Sequence, residues 1–252
     1  MLLGGQLVLT VAVTWLIIDR VDLGLGELRG LDRSMWLPSP LLFIAASLLL
    51  LAAYFVSAAI WGRIVRDLGG PGLPVADSIR MFMIANLGRY LPGKVWQIAG
   101  LAALAKGRGV PPATAAGAAV IGQGIAVVAA AAVGMGALLG GPDPYPTWGL
   151  VGLALVVLAA VLLAVPTVFQ RIVGVWFRLT RTAARPEVGG AHALRWLALY
   201  TVNWAMYALS FWVLARSLGF GGAPIPVASA FAAAYVLGYA MVFAPAGLGP
   251  RE

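Results

Sequence analysis

Cysteine is absent from this 252-residue chain, which excludes disulfides, zinc–thiolate sites and cysteine nucleophiles. Histidine occurs once, at His192, too few for a histidine-ligated metal or a serine–histidine couple. Charge is scarce, at 10% of residues. The nine acids are Asp19, Asp22, Glu27, Asp32, Asp67, Asp77, Asp143, Glu187 and Glu252. No two of them form an Asp-x-Asp pair, and no phosphate-loop signature for ATP is present. Glycosyl or phosphoryl transfer normally needs carboxylates for a metal or a general base. The chain therefore reads as no enzyme with a self-contained catalytic constellation, and no metal or cofactor is expected. A soluble basic module is also missing, so the formal net charge of +8 does not point to nucleic acid. Loop Lys and Arg facing anionic lipid account for it.

What is present is apolar sequence, 62% of the chain, the signature of an all-α, polytopic transmembrane helix bundle. A crossing takes about 20 apolar residues. That length predicts about six spans, over residues 2–18, 40–61, 113–139, 147–165, 196–214 and 227–243. The first reads as a retained helix, because it lacks a basic n-region and a small-x-small cleavage site. It is short enough to expect a few further residues upstream. Gly117, Gly122, Gly124, Gly134 and Gly136 in the third span permit close helix approach, and Gln123 there reads as a hydrogen bond to a neighbouring helix. Residues 196–214 carry Trp196, Tyr200, Trp204, Tyr207 and Trp212; those at the ends read as interface belts, with Asn203 as the polar residue inside. The basic stretch 169–195 carries Ile172, Val175, Trp176 and Leu179 at helical spacing, which predicts an amphipathic surface helix.

One stretch breaks the pattern. Residues 80–97, RMFMIANLGRYLPGKVWQ, hold Arg80, Arg89, Lys94, Asn86, Gln97 and a Pro92-Gly93 break. Irregular backbone at membrane depth is tolerated only where protein or a water-filled cavity covers it, and charge there defaults to function. The apolar arms, 75–90 and 94–105, are each about half of the 20 residues a crossing requires. A re-entrant hairpin that leaves on the side it entered fits them; a single span kinked at Pro92 is the alternative. Loop charge favours the hairpin. Residues 63–74, 106–112 and 166–195 are basic, whereas 19–39 and 140–146 are near-neutral or acidic. All basic loops share the cytoplasmic side only if 75–105 returns. This places the N-terminus in the cytoplasm and the protein in the cell membrane as a multi-pass chain.

A second turn, APAGLGPRE, ends the sequence at 244–252. Leu91, Pro92, Gly93 and Lys94, followed about 150 residues later by Pro245, Gly247, Leu248, Gly249, Arg251 and Glu252, give the chain a resemblance to the transmembrane domain of the lysylphosphatidylglycerol synthase/flippase family. The resemblance covers nearly all of residues 1–252, read as one integral membrane domain. It implies lipid translocation between leaflets, or a close relation to lipid-linked glycosyl transfer. The soluble aminoacyl-transferase domain of synthase members is absent, so lipid aminoacylation is not carried over. Family members continue past the second motif, so the chain is expected to be truncated there.

From the residues, both turns read as broken helices around a polar site, at 80–105 and 244–252. Arg89, Lys94 and Arg251 suit a phosphate, Asn86 and Gln97 are neutral partners, and Glu252 holds a neighbouring cation or a cationic head group. Backbone N–H groups at the Pro92, Gly93, Pro245, Gly247 and Gly249 turns add donors. Arg80 reads as a snorkelling interface charge. The expected function is flippase-like movement or binding of a lipid head group, with a membrane phospholipid or lipid-linked substrate as partner. A lipid-linked glycosyltransferase or its membrane subunit, and a scaffold for a partner enzyme, are the alternatives. A homo-oligomer is permitted by the glycine-rich faces.

Overall fold

Backbone in lipid must satisfy its own hydrogen bonds, and uninterrupted apolar runs do so as helices. In the computed structural model, residues 37–90, 95–139, 145–182 and 186–240 are described. They form eight α-helices and no strand. These are α1 (Pro40–Asp67), α2 (Val75–Asn86), α3 (Trp96–Lys106), α4 (Pro112–Leu139), α5 (Tyr145–Ala164), α6 (Pro166–Leu179), α7 (Gly190–Ser217) and α8 (Pro224–Ala240); a 3-10 turn, Leu87–Tyr90, continues α2. Residues 2–18, the centre of the Pro-Gly turn at 91–94 and the second turn at 244–252 lie outside the described residues.

Local chemistry sets the ends. Proline opens α1, α4, α6 and α8, where its missing N–H has no helical partner to lose. Gly69 and Gly219 close α1 and α7 with φ of +85° and +80°. After α1, Gly70 N–H donates to Val65 O at 2.9 Å and Gly69 N–H to Arg66 O at 3.0 Å. After α7, Phe220 N–H and Gly219 N–H repeat the pattern onto Ala215 O and Arg216 O. Both are left-handed caps that favour glycine and satisfy otherwise orphaned carbonyls.

Among the described residues, four helices are long and apolar enough to cross a membrane: α1, α4, α5 and α7. Helix α8 is apolar but shorter. The 28 residues of α1 amount to about 42 Å of helix, so the hydrocarbon core, about 30 Å thick, leaves its last turns at the head-group level. Helices α1 and α7 run antiparallel. Ser39 N–H donates to Ser217 O at 2.7 Å and Ser210 Oγ to Ala46 O at 2.8 Å near one end. At the other, Asp67 Oδ2 accepts from Arg195 at 2.6 Å and from Trp196 Nε1 at 2.9 Å. Helices α4 and α8 are also antiparallel. A methyl added at Gly134 would sit 2.8 Å from the Ala233 nitrogen, and one at Gly136 2.5 Å from Ser229 Oγ. Gly122 and Gly117 similarly admit Tyr200 and Trp176, while Gly124 has nothing within 4 Å of such a methyl. Close approach thus uses four of the five expected glycines. Helix α5 lies outermost, with 6% of its spanning window buried.

The amphipathic helix exists as α6. It turns Phe169, Val173 and Phe177 inward, bonds Trp176 Nε1 to Ala113 O at 2.9 Å, and leaves Arg171, Arg178, Ile172, Val175 and Leu179 exposed. The interface belt expected of the end aromatics needs correction at Trp196. It is fully buried, and Tyr200 and Trp204 nearly so; all three are core groups. The stripe faces α1, α4 and α8 because its polar tips find partners there, Asp67 for Trp196 being one.

Candidate functional site

The hairpin forms from two short helices of 12 and 11 residues, α2 and α3, and three contacts fix how they lie. Asp77 and Arg108 form an ion pair at the base. Midway, a methyl added at Gly100 would be 3.3 Å from the Ala85 Cβ. Near the tip, one at Gly88 would be 2.9 Å from the Trp96 carbonyl carbon and 3.0 Å from the Gln97 nitrogen. In sequence, each pair is centred on the Pro92-Gly93 step. That is the contact pattern of an antiparallel hairpin. A single span kinked at Pro92 would put Asp77 and Arg108 at opposite ends of a membrane, so that alternative fails.

The base sits with the other basic segments. Ser78 of α2 lies against Gly62 of α1, and Trp61 Nε1 donates to Ala115 O of α4 at 3.2 Å. With the Asp67 contacts of α7, these place residues 63–74, 106–112 and the two described ends of 166–195 at one end of the bundle. The charge argument from the loops is therefore met by the packing. From Ser78 to Tyr90 the first arm advances about 20 Å along its axis. That reach is about two thirds of a hydrocarbon core about 30 Å thick.

Of the residues singled out from the sequence, Asn86 and Gln97 are described at this tip. Asn86 is half-buried, and its Oδ1 is buried without a hydrogen-bond partner. An orphaned buried amide oxygen is costly, about 1–3 kcal/mol, unless something polar reaches it. Gln97 is half-buried on the first turn of α3, against which Gly88 packs. Arg89 belongs to the 3-10 turn; its side chain, and all of Pro92, Gly93 and Lys94, lie outside the described residues. So do Pro245, Gly247, Gly249, Arg251 and Glu252. Arg80 is exposed on α2.

Sequence reasoning missed a second polar cluster, inside the bundle. Asn203 Nδ2 donates to Ser57 Oγ at 2.7 Å, and Ser57 Oγ lies 3.1 Å from Tyr207 OH. Asn203 is buried, with its Oδ1 unsatisfied. Nearby, Gln123 Nε2 donates to Tyr235 OH at 2.8 Å, the interhelical bond expected of it. Trp204 packs between Tyr207 and Tyr235, with ring centroids 5.3 and 4.5 Å away. The signal was present: Trp196, Tyr200, Asn203, Trp204 and Tyr207 share one helical face. Among the described residues no group of three or more His, Asp or Glu could hold a metal ion. The described Asp67 and Asp77 are both engaged by arginine.

Comparison with known proteins adds one result. The family model for the lysylphosphatidylglycerol synthase TM region matches residues 3–252. No curated protein and no solved structure matches the chain. A membrane-type helix bundle carrying an antiparallel hairpin, matched by this model over essentially its whole length, belongs to the lysylphosphatidylglycerol synthase TM-region family.

Proposed function

We propose that the protein is a lipid flippase-like carrier: it takes a phosphate-bearing lipid head group into a polar site at the hairpin tip while the acyl tails stay in the bilayer. The observation that carries this reading is the hairpin itself. Its two half-length arms run antiparallel, with an unsatisfied buried Asn86 oxygen at the end of the first. Broken helices meeting near the midplane are how transporters bind polar groups inside lipid. Arg89 and Lys94 supply positive charge to the phosphate, and Asn86 and Gln97 supply neutral contacts. The turn bearing Pro245, Gly247, Gly249, Arg251 and Glu252 completes the site from the other broken helix. On this reading the described basic end faces the cytoplasm, which the positive-inside rule supports, with the N-terminus on the same side and the protein in the cell membrane. No catalytic step is assigned to it.

Reconstituted liposomes with fluorescent phospholipid test the reading. The full-length protein should move lipid between leaflets, and Lys94→Ala should lower the rate at least tenfold, the worth of one charge-assisted contact of about 1.5–3 kcal/mol. Absence of movement by the full-length protein, or an unchanged rate in Lys94→Ala, removes it. Sugar transfer from a lipid-phosphate donor in the same vesicles would replace it with the glycosyltransferase reading.

A further inference from the structure

A cleft of about 340 Å³ opens at the basic end between α1, the loop that follows it, the start of α2 and Leu199 of α7. Arg63 and Arg66 line its mouth; Val56 and Ile60 line it further along α1. The two arginines are three residues apart, hence neighbours on one helix face, and both are exposed. Among the described residues neither has a close carboxylate partner. Arg63 has no carboxylate partner among the described residues. Arg66 lies 3.9 Å from Asp67, whose other oxygen already holds Arg195 and Trp196.

We propose that this cleft holds one anionic phospholipid from the leaflet at the basic end. Its phosphate lies between Arg63 and Arg66, and one acyl chain runs along Val56, Ile60 and Leu199. The order of groups along α1 carries the assignment. Moving from Arg66 to Val56, about 15 Å of helix, the lining passes from two cations to apolar side chains, the order of a phospholipid from head group to tail. A soluble anion would use the cations and leave the apolar wall bare. A zwitterionic lipid brings its own cation toward two guanidinium groups, which repel it. The cleft also adjoins the hairpin: Ser78 lines it, and Asn86 stands two turns further along the same face of α2. The inference deepens the translocation reading, on which the role of this lipid as cargo rests; its binding is measured apart from transport.

Native mass spectrometry of the purified full chain in mild detergent measures the binding, with phosphatidic acid, phosphatidylcholine and soluble glycerol 3-phosphate as probes. The wild type should retain phosphatidic acid over phosphatidylcholine by about tenfold or more, the combined worth of two interfacial arginines. R63Q/R66Q, which alters two exposed side chains, should bring the ratio close to one. Ala59→Trp, which fills the cleft and keeps both arginines, should lower phosphatidic acid retention several-fold. Equal retention of the two lipids by the wild type, an unchanged ratio in R63Q/R66Q, or displacement of the lipid by an equal concentration of glycerol 3-phosphate would each overturn the site. Retention without transport in liposomes overturns the translocation reading and leaves the site standing. Transport without retention does the reverse.

Discussion

Helices α4 and α8, like the arms α2 and α3, touch through glycine, yet the two pairs are held in different ways. In the frame, the Gly134–Ala233 contact is one among many along long helices, and the Gln123–Tyr235 bond adds a neutral polar tie across the same interface. The arms of the hairpin are less than half as long as α4. They meet at Gly88 and Gly100, and their ion pair at the base is part-exposed. The arms also bury Met81, Ala85, Leu101 and Ala105 in the core, but what ties them to each other is close backbone approach and one part-exposed ion pair. The difference teaches which substitutions each region should feel: bulk added at glycine in the frame, and loss of charge at the hairpin.

Substitutions that separate the two regions sharpen this. The largest stability loss should come from the frame: Gly134→Leu forces α8 off α4, an overpacking cost of about 3 kcal/mol or more, read by denaturation in detergent. Asp67→Ala comes next. It strands the buried Trp196 Nε1 and unties Arg195, for about 2 kcal/mol. Asn203→Leu should cost less than about 1 kcal/mol, since interhelical polar bonds in membranes are modest and the change also removes an unsatisfied oxygen. Asp77→Ala should have the smallest effect on stability, below about 1 kcal/mol, because Arg108 is part-exposed. Its lipid transport should nonetheless change more than that of Asn203→Leu. Equal transport in those two variants would erase the distinction between frame and hairpin.

Much of this architecture was legible from the residues. The hairpin followed from arms too short to span and from loops whose charge had to share a side, and the Asp77–Arg108 pair meets both requirements. The glycines of α4 were readable as contact points because removing a side chain in lipid has little use except close approach; Gly124 shows the rule is permissive. Among the aromatics of α7, Trp196 was misread. A tryptophan near a helix end looks the same in sequence whether it faces head groups or, like Trp196, a carboxylate 129 positions earlier in the chain. Such pairings depend on which helices become neighbours, and helical periodicity carries no information about that. The Ser57–Asn203–Tyr207 cluster was missed for the same reason: single hydroxyls and amides acquire meaning only when three helical positions converge. At the hairpin, Asn86 was legible as a polar residue out of place, while its unsatisfied oxygen required coordinates.

The neutral character of the Asn203 cluster has an electrical consequence. Ser57, Asn203, Tyr207, Gln123 and Tyr235 tie the frame together without a formal charge among them. Residues 40–62 of α1, 112–139 of α4, 145–164 of α5 and 196–215 of α7 contain no Asp, Glu, Lys or Arg. A transmembrane potential does work only on charge displaced through it, about 2.3 kcal/mol per elementary charge per 100 mV. Rearranging these four helices would therefore carry almost no gating charge. Voltage would act on the arginines of the hairpin, and the frame around them would stay electrically silent.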